Sequence, residues 1–439
     1  MNTVSHIELH NIWDGKVIVD EIKQFADNRG MVSEIYRQDD TKTIDSSDPN
    51  NIIAPKMAYW SITNPLIMRG NHQHANQTDF FVSWFNRMVY QLFNPDTKEF
   101  FHFITEPNKV YRVKVAPPII HSYRNLDFKP STTGNFPTSL FMGENKTSPI
   151  DEVRLEHITE HKHTYVVLGA NGRLGKSCVK KLYEKIGYFK YNVIPVYEKI
   201  KNINDLNNVI DTISKVVYED VTIINCIGLL NLPKTHDSIK DMPWVNSELP
   251  NKISEECAHR SWKFIHFSSD YVLQSNNVTD DTPAYTKSKI LAETYIKNNS
   301  QNISTTIIRV ANLFSENITD NDNLIVKFIN RIKNNEVINI DKNIHISPTN
   351  VEDIADVLVE NMLKNQKEFT YKDGLKIINI IPPKYYTLKY FLTNIYNYSN
   401  FIEIESDKVS WHTEFFNKFP NFYTKDPIES IKRIINIRK

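Results

Sequence analysis

The sequence predicts two domains in series, an all-β barrel or jelly roll over residues 1–160 and an α/β domain over residues 164–439, and three observations lead there. The chain has 439 residues, whereas single hydrophobic cores stop growing near ~250–300 residues. Its first part carries short β-rich runs broken by turn residues: Ala58-Tyr59-Trp60-Ser61-Ile62, Phe80-Phe81-Val82-Ser83-Trp84, Val89-Tyr90-Gln91-Leu92-Phe93 and Val110-Tyr111-Arg112-Val113-Lys114-Val115. After the polar stretch Glu160-His161-Lys162-His163 the pattern changes. The apolar run Tyr165-Val166-Val167-Leu168 leads into glycines and then a helix beginning near Leu174, which opens a strand–helix–strand unit. The boundary is placed at residues 158–164.

Bulk composition narrows the partners. Hydrophobic residues make up 40% and charged residues 24%, the balance of a folded chain. Lys plus Arg and Asp plus Glu stand at 52 each, so no excess charge exists to hold nucleic acid or an anionic membrane, and any phosphate contact must be local. Cys178, Cys226 and Cys257 are too few and scattered for a disulfide framework or a cysteine zinc site, and are read as reduced, buried small hydrophobes. Met1 to His10 lack the apolar core of a signal peptide, and no stretch approaches the ~18 apolar residues of a membrane span. The expectation is a cytoplasmic protein in which the sequon Asn145-Lys146-Thr147 arises by chance.

In the second domain, Val221 to Ile227 and Trp262 to Phe267 look like buried parallel strands, and Leu291 to Lys297 looks helical. Gly169-Ala170-Asn171-Gly172-Arg173-Leu174-Gly175 follows one strand and opens one helix. That G-x-x-G-x-x-G spacing lets backbone approach a pyrophosphate, with the helix N-terminus supplying N–H donors, so NADH or NADPH is the expected cofactor. Tight strand–helix turns select glycine for steric reasons too; the preceding strand raises the signal. An acidic residue at the end of the second strand would favour NAD and a basic one NADP. Here Glu198 is followed directly by Lys199, and the preference stays open.

Tyr285-Thr286-Lys287-Ser288-Lys289 sets Tyr285 and Lys289 four apart, on one helix face. Lys289 is then expected to lower the Tyr285 pKa, so that the phenol protonates a carbonyl oxygen while a nicotinamide delivers hydride to the carbon. Ser269, at the end of a strand, could hydrogen-bond the same oxygen. Y-x-x-x-K is common on solvated helices; its order after a glycine loop and Ser268-Ser269 favours catalysis.

At this point the sequence resembles the dTDP-4-dehydrorhamnose reductases, extended short-chain dehydrogenases with a Rossmann-like fold. The likeness runs from residue 164 to about 365 through Gly169 to Gly175, Asn225-Cys226-Ile227-Gly228, Asn246, Ser268-Ser269-Asp270-Tyr271-Val272, Pro283 to Lys289, Ile308-Arg309-Val310 and Pro348-Thr349-Asn350 to Ala355. The resemblance implies reduction of a nucleotide-linked 4-keto-6-deoxy sugar at C4. It places Asn225 and Cys226 at the cofactor, Asn246 at the substrate, and the last ~65 residues in a smaller substrate lobe whose aromatic residues are core.

The sharpest feature of the first domain is Arg69-Gly70-Asn71-His72-Gln73-His74, followed by Asp79 and by Pro117-Pro118-Ile119-Ile120-His121. On a strand His72 and His74 share a face, which is how a barrel offers two imidazoles to one metal. Asp79 and His121 could complete a set suited to Zn²⁺ or another divalent ion. An isolated H-x-H more often only hydrogen-bonds within a barrel. Phe25 to Gly30 with Glu34 to Arg37, and Arg69-Gly70 with His72, resemble the dTDP-4-dehydrorhamnose 3,5-epimerases. That likeness implies that Arg29, Glu34 and Arg69 contact the nucleotide sugar, often across a dimer, and that His72 is the base. The segment also resembles the cupin domain of bifunctional capsular-polysaccharide enzymes in Arg69 to His72 with His74, Pro117-Pro118 with His121 and Asn125, and Gly143-Glu144-Asn145. Those enzymes fuse the same two activities in the opposite order, act on UDP-2-acetamido-2,6-dideoxy-4-keto hexoses, and carry zinc. The templates disagree over His72, as base or as ligand. His74 favours the metal; Asp79 stands where a Glu is expected; no tyrosine after His121 stands out as the acid.

The chemistry suits the fusion. A 4-keto group acidifies the C3 and C5 protons, epimerisation needs a base, an acid and enolate stabilisation, and a tethered reductase traps the product. The sequence therefore predicts a cytoplasmic, homodimeric 3-epimerase or 3,5-epimerase joined to an NAD(P)H-dependent 4-keto reductase, making a UDP-linked L-6-deoxy sugar with a 2-acetamido group. The alternatives are the same chemistry on dTDP- or UDP-4-keto-rhamnose precursors, a non-catalytic NADP-binding regulatory subunit, and, more weakly, 3,4-ketoisomerase activity.

Overall fold

A computed structural model describes residues 6–36, 44–45, 48–52, 54–141, 152–154, 163–186, 191–217, 220–229, 236–273, 278–316, 324–342, 345–364, 374–405 and 421–438, with side chains not described at 48–52 and a few segment ends. The chain divides into two compact units. One comprises Met1–Lys162 with the short segments Gly187–Tyr191 and Asp211–Tyr218; the other comprises His163–Ile186, Asn192–Ile210 and Glu219–Lys439.

Among the described residues, the first unit holds two large antiparallel sheets and two short two-stranded ones. Six strands run in the order His6–Ile12, Val17–Ile22, Val110–Val115, Asp79–Trp84, Ser131–Asn135, Tyr59–Thr63, and five in the order Glu99–Ile104, Met88–Asn94, Ile120–Asn125, Met68–Gln73, Val153–Arg154. Alternation along the strands turns Val17, Val19, Phe81, Val113 and Val115 of one sheet toward Met88, Tyr90, Leu92 and Tyr123 of the other, and these side chains form one buried cluster. Polar groups inside it are paired: the buried Tyr90 hydroxyl lies 2.7 Å from Ser83 Oγ. Asn125, fully buried, donates to the Thr63, Asn64 and Lys129 carbonyls, so its place is structural. Gly143, Glu144 and Asn145 lie outside the described residues.

The second unit is built on a seven-stranded sheet in the order Tyr191–Val196, His163–Leu168, Asp220–Asn225, Lys263–Ser269, Ser304–Val310, Gly374–Ile381, Asn421–Tyr423. The register is parallel from His163–Leu168 through to Asn421–Tyr423. Its central strands are buried on both faces, as in a sheet covered on both sides; every residue of Ser304–Val310 is buried, its polar Ser304, Thr305, Thr306 and Arg309 included. The helix Arg173–Ile186 packs on Val351–Leu363, where Lys181 pairs with Asp356 at 3.1 Å. In chain order the strands run 2-1-3-4-5-6-7, so direction reverses between His163–Leu168 and Asp220–Asn225. In sheets of this kind ligands bind outside the carboxyl ends of the strands at that reversal. The C-terminal aromatic residues Tyr386 and Phe391 are buried with Phe314, Ile325, Ile431 and Ile434 in a separate core. Cys178, Cys226 and Cys257 are free thiols.

Candidate active sites

In the first unit, Met68–Gln73 pairs with Ile120–Asn125: Arg69 lies opposite Tyr123, Gly70 opposite Ser122, and His72 opposite His121. Asn71 is the extra residue of a bulge, with Gly70 at φ +93° and Asn71 at +65°. Residues three apart on a regular strand face opposite ways; the bulge turns both Arg69 and His72 to the side of His121 and Tyr123. Only glycine serves at position 70, since a Cβ there would sit 2.8 Å from the His121 carbonyl oxygen. His72, His74 and His121 thereby converge, each offering a ring nitrogen within 4.8 Å of the others.

Asp79, wholly buried at the start of its strand, joins them. Its Oδ2 lies 3.3 Å from His74 Nε2 and 3.5 Å from His121 Nε2, while Oδ1 accepts from Gln77 and Asn135. Two ligand atoms each ~2.1 Å from a tetrahedral ion lie ~3.4 Å apart, so these spacings match the edges of a Zn-type site. Asp79 Oδ2 and His121 Nε2 are buried without a hydrogen bond, which a bound cation would relieve. The donor set fits a divalent ion. Burial works to raise the Asp79 carboxyl, but the close His74 and His121 imidazoles and the Asn135 bond outweigh it and hold it below the usual carboxylate range. Burial depresses His121, which favours the neutral imidazole that a metal takes.

These groups line a cavity of about 1140 Å³ together with Arg69, Tyr59, Tyr123, Asn135 and Glu152. Arg29 and Glu34 are not among the cavity-lining residues. Arg29 sits at the tip of the hairpin Gln24–Asp27/Gly30–Ser33, with its side chain 86% exposed and bound to Asp27 at 2.6 Å. Tyr123, which did not stand out in the sequence, lines the cavity two residues past His121 on the same face; its hydroxyl lies 2.7 Å from Ser61 Oγ and burial raises its pKa. Tyr59 accepts from Asn135, which also donates to Asp79. Glu152 had no sequence signal at all. Pairing of Val153–Arg154 with Met68–Gln73 brings its carboxylate to 3.4 Å from His72 Nδ1.

In the second unit, Gly169 to Gly175 occupies the reversal point between the first and third strands. Gly169 has φ +77°, and a Cβ there would meet Ile227 Cγ1 at 2.9 Å. A Cβ on Gly175 would lie 2.2 Å from the Gly169 oxygen, so this glycine lets the helix close on the strand. A Cβ on Gly172 meets only the Gly169 oxygen, at 3.3 Å. The helix starts at Arg173, with buried Leu174 anchoring it. Asn171 Nδ2 donates to the Tyr197 carbonyl at 2.7 Å and Ala170 N to Val196 O at 3.1 Å, stitching the loop to the end of the second strand. The glycine cradle fits a dinucleotide pyrophosphate at a helix N-terminus.

Beside it, Ser269 ends Lys263–Ser269 while Tyr285 and Lys289 lie in the first turns of the helix Ala284–Asn299. Ser269 acts on the Tyr285 phenol and works to lower its pKa. Its Oγ also lies 2.9 Å from Asp270 Oδ1. The expected effect of Lys289 on Tyr285 is corrected here: burial dominates and raises the phenol pKa, Ser269 opposes it, and Lys289 is not among the causes. Burial instead pulls Lys289 down to about 8, against the pull of Glu293, while its ammonium donates to Phe267 O at 3.4 Å. Glu293, one turn further along, is held by Arg309 at 2.7 Å and by Ser268 at 2.6 Å.

Asn225 and Asn246 serve the site from behind. Both are fully buried. Asn225 Oδ1 accepts from Ile227 N, and its amide donates to His266 Nδ1 at 3.1 Å. Asn246, in a π-helical turn at Trp244–Glu248, accepts from Leu229 N and donates to Leu229 O and Ser288 Oγ. Asn246 was expected at the substrate; its bonds to Leu229 and Ser288 tie that segment to the helix Ala284–Asn299. Cys226 N bonds Leu168 O, closing the same segment on the first strand.

A family model described as RmlD substrate binding domain matches residues 163–375. The chain is 28% identical over 154 residues to the "Probable low-salt glycan biosynthesis epimerase Agl13" of Haloferax volcanii, a match covering 34% of this chain and 89% of that protein. Among solved structures it is similar to a dTDP-4-dehydrorhamnose reductase of Clostridium acetobutylicum (18% identity, TM-score 0.46, 63% of this chain and 99% of the other). It is also similar to one of Bacillus anthracis in complex with NADP (18%, TM-score 0.47, 63% and 99%). A dTDP-4-dehydrorhamnose 3,5-epimerase of Sulfolobus tokodaii matches at 16% identity and TM-score 0.26, over 30% of this chain and 75% of the other. Residues 163–375 thus resemble an RmlD substrate binding domain. Among the described residues no helix is long and apolar enough to cross a membrane.

Proposed function

We propose that the chain is a bifunctional nucleotide-sugar enzyme whose first unit epimerises a 4-keto-6-deoxy sugar beside its ketone and whose second unit reduces that ketone with NAD(P)H. The observation that carries the reading is the placement of Lys289, whose ammonium reaches Phe267 O at 3.4 Å and lies beside Gly228, on the helix that also bears Tyr285, next to the strand end of Ser269 and the glycine cradle. A dinucleotide-binding regulatory subunit would have no use for a buried Lys289 one helical turn from Tyr285. The match to an RmlD substrate binding domain supports a sugar substrate, and the epimerase of Haloferax volcanii supports the second activity.

In the reductase, Ser269 holds the ketone oxygen and Tyr285 gives it a proton; the high pKa of the buried phenol keeps that proton in place until charge develops on the oxygen. Lys289, with its pKa near 8, restores the proton to the phenol. The nicotinamide, when bound, supplies the hydride. In the epimerase, Arg69 faces the diphosphate, His72 oriented by Glu152 takes the C3 proton, and Tyr123 returns one from the other side. His74, Asp79 and His121 would hold a divalent ion that stabilises the enolate as a Lewis acid, leaving the His72 ring nitrogen to the proton transfer. The substrate is a UDP-2-acetamido-2,6-dideoxy-4-keto hexose, a choice resting on the resemblance of Arg69 to His74 and His121 to the capsular-polysaccharide cupins.

The test is incubation in deuterated water with UDP- and dTDP-4-keto-6-deoxy sugars, with and without a 2-acetamido group. Solvent deuterium should enter C3 and reduced nicotinamide should be consumed. Tyr285→Phe should abolish consumption while leaving cofactor binding and deuterium uptake intact. Full turnover by that variant would refute the reductase assignment, and absence of uptake with every sugar would refute the epimerase.

A further inference from the structure

We infer that Tyr59 is a further catalytic residue of the first unit, donating a hydrogen bond to the sugar's ketone oxygen as the enolate forms, a role that rests on the epimerase reading above. Tyr59 begins Tyr59–Thr63, the edge strand of the six-stranded sheet. Alternation along that strand turns Trp60 and Ile62 outward, each 64% exposed. It puts Tyr59 on the face of Ser61, whose hydroxyl meets Tyr123 of the other large sheet at 2.7 Å. The Tyr59 ring is partly open to solvent at the sheet edge, but its hydroxyl end reaches the buried Asn135, and the residue lines the cavity of the three histidines.

The direction of one hydrogen bond carries the assignment. Asn135 stands opposite Tyr59 in the neighbouring strand, and its Nδ2 lies 2.8 Å from Asp79 Oδ1 and 2.9 Å from the Tyr59 hydroxyl. A carboxylate oxygen only accepts, so the group of Asn135 that faces Asp79 is its NH₂, and the second hydrogen of that amide goes to the Tyr59 oxygen. Tyr59 thus accepts, and among the described residues its own O–H meets no acceptor. Tyr123 differs: its hydroxyl is engaged with Ser61, which reaches on to Thr133 O at 3.3 Å. A phenol keeps its proton at neutral pH, and burial raises the pKa of Tyr59 further, against the Asn135 bond.

The amide bridge also fixes where that hydrogen acts. Asn135 joins Tyr59 to the carboxylate that meets His74 and His121, so the phenol stands one side chain away from the point where the imidazoles converge. When His72 removes the C3 proton, the electrons of the C–H bond form the C3–C4 double bond and the π electrons of the ketone move onto its oxygen. A held O–H donor in the cavity meets that growing charge without rearranging, which is what makes such donors effective. Return of a proton to C3 restores the ketone, and the phenol keeps its own hydrogen throughout.

The experiment compares the full chain with its Tyr59→Phe variant on UDP- and dTDP-4-keto-6-deoxy sugars in deuterated water, without nicotinamide so that the second unit is silent. It reads the rate at which deuterium enters C3, the affinity for the sugar nucleotide, and the divalent-metal content. Tyr59→Phe should slow exchange on the order of a hundredfold, with affinity within about threefold of the parent and metal content unchanged. Exchange at the parental rate would overturn the role. So would a fall in exchange matched by an equal fall in sugar affinity, which marks a binding group, or accompanied by loss of metal, which marks a brace for Asp79. If the parent itself exchanges none of these sugars, the epimerase reading fails and this role goes with it; exchange by the parent that survives in Tyr59→Phe leaves that reading standing and removes only Tyr59.

Discussion

Two glycines of one loop, three residues apart, should fail in different ways when each is given a methyl group. A Cβ at position 175 would lie 2.2 Å from the Gly169 oxygen, 2.8 Å from its carbonyl carbon and 3.0 Å from Ala170 Cα. All three are backbone atoms, and ordinary contact begins near 3.4 Å, so strand end and helix must part by about 1.2 Å. Overpacking of this kind costs ~1–3 kcal/mol or more, which for a unit of this size is roughly 4–8 °C of melting temperature at ~2 kcal/mol. At position 172 the same methyl meets one oxygen at 3.3 Å, and the residue has no positive φ. Gly172→Ala should therefore melt within ~1–2 °C of the parent, yet it places a methyl where backbone must approach a pyrophosphate. Its affinity for reduced nicotinamide cofactor should fall about tenfold or more. Differential scanning calorimetry without ligand, paired with fluorescence titration, reads both quantities. If Gly172→Ala binds cofactor like the parent, or if Gly175→Ala melts unchanged, the cradle has been misread.

Two further outcomes follow from the sites. Metal analysis of the purified chain should find about one divalent ion per chain, lost in Asp79→Asn and in His74→Ala, with deuterium exchange falling in step; a metal-free chain with full exchange would refute the ligand set. Burial depresses the folded pKa of Lys289 from the ordinary lysine value of 10.5 to about 8, so below pH 8 the ammonium is charged in both states and the native state bears its burial. Between pH 8 and 10.5 the unfolded chain holds the extra proton, so stability relative to Lys289→Met should rise with pH across that window. Melting curves at pH 7, 9 and 10 would show it, and a difference that stays flat would place the ammonium in solvent.

The features legible in the sequence are those carried by local period. A strand, then glycines, then a helix can be read between Tyr165 and Leu174 because each step changes the hydrophobic rhythm, and a four-residue spacing puts Tyr285 and Lys289 together on any helix. Two-residue spacing joins His72 to His74, and would have found Tyr123 from His121. What was not legible depends on distant segments. Glu152 reaches His72 only because Val153–Arg154 adds a strand to a sheet begun 80 residues earlier. The state of Tyr285 depends on burial, which spacing does not report, and so its pKa moves opposite to the expectation drawn from Lys289. Asn246 looked like a substrate contact because it lies in a recognisable motif; only its three bonds show it bracing a turn.

The extra residue in Met68–Gln73 has a wider meaning. In an extended chain, parity decides which side of a sheet each side chain serves, and a single insertion reverses parity for everything upstream while sparing everything downstream. Excision of Asn71 would rotate the guanidinium of Arg69 out of the cavity without touching His74. The strand is thus two half-words joined by a hyphen, and its anion-facing half can be re-spelled while the imidazole half keeps its sense.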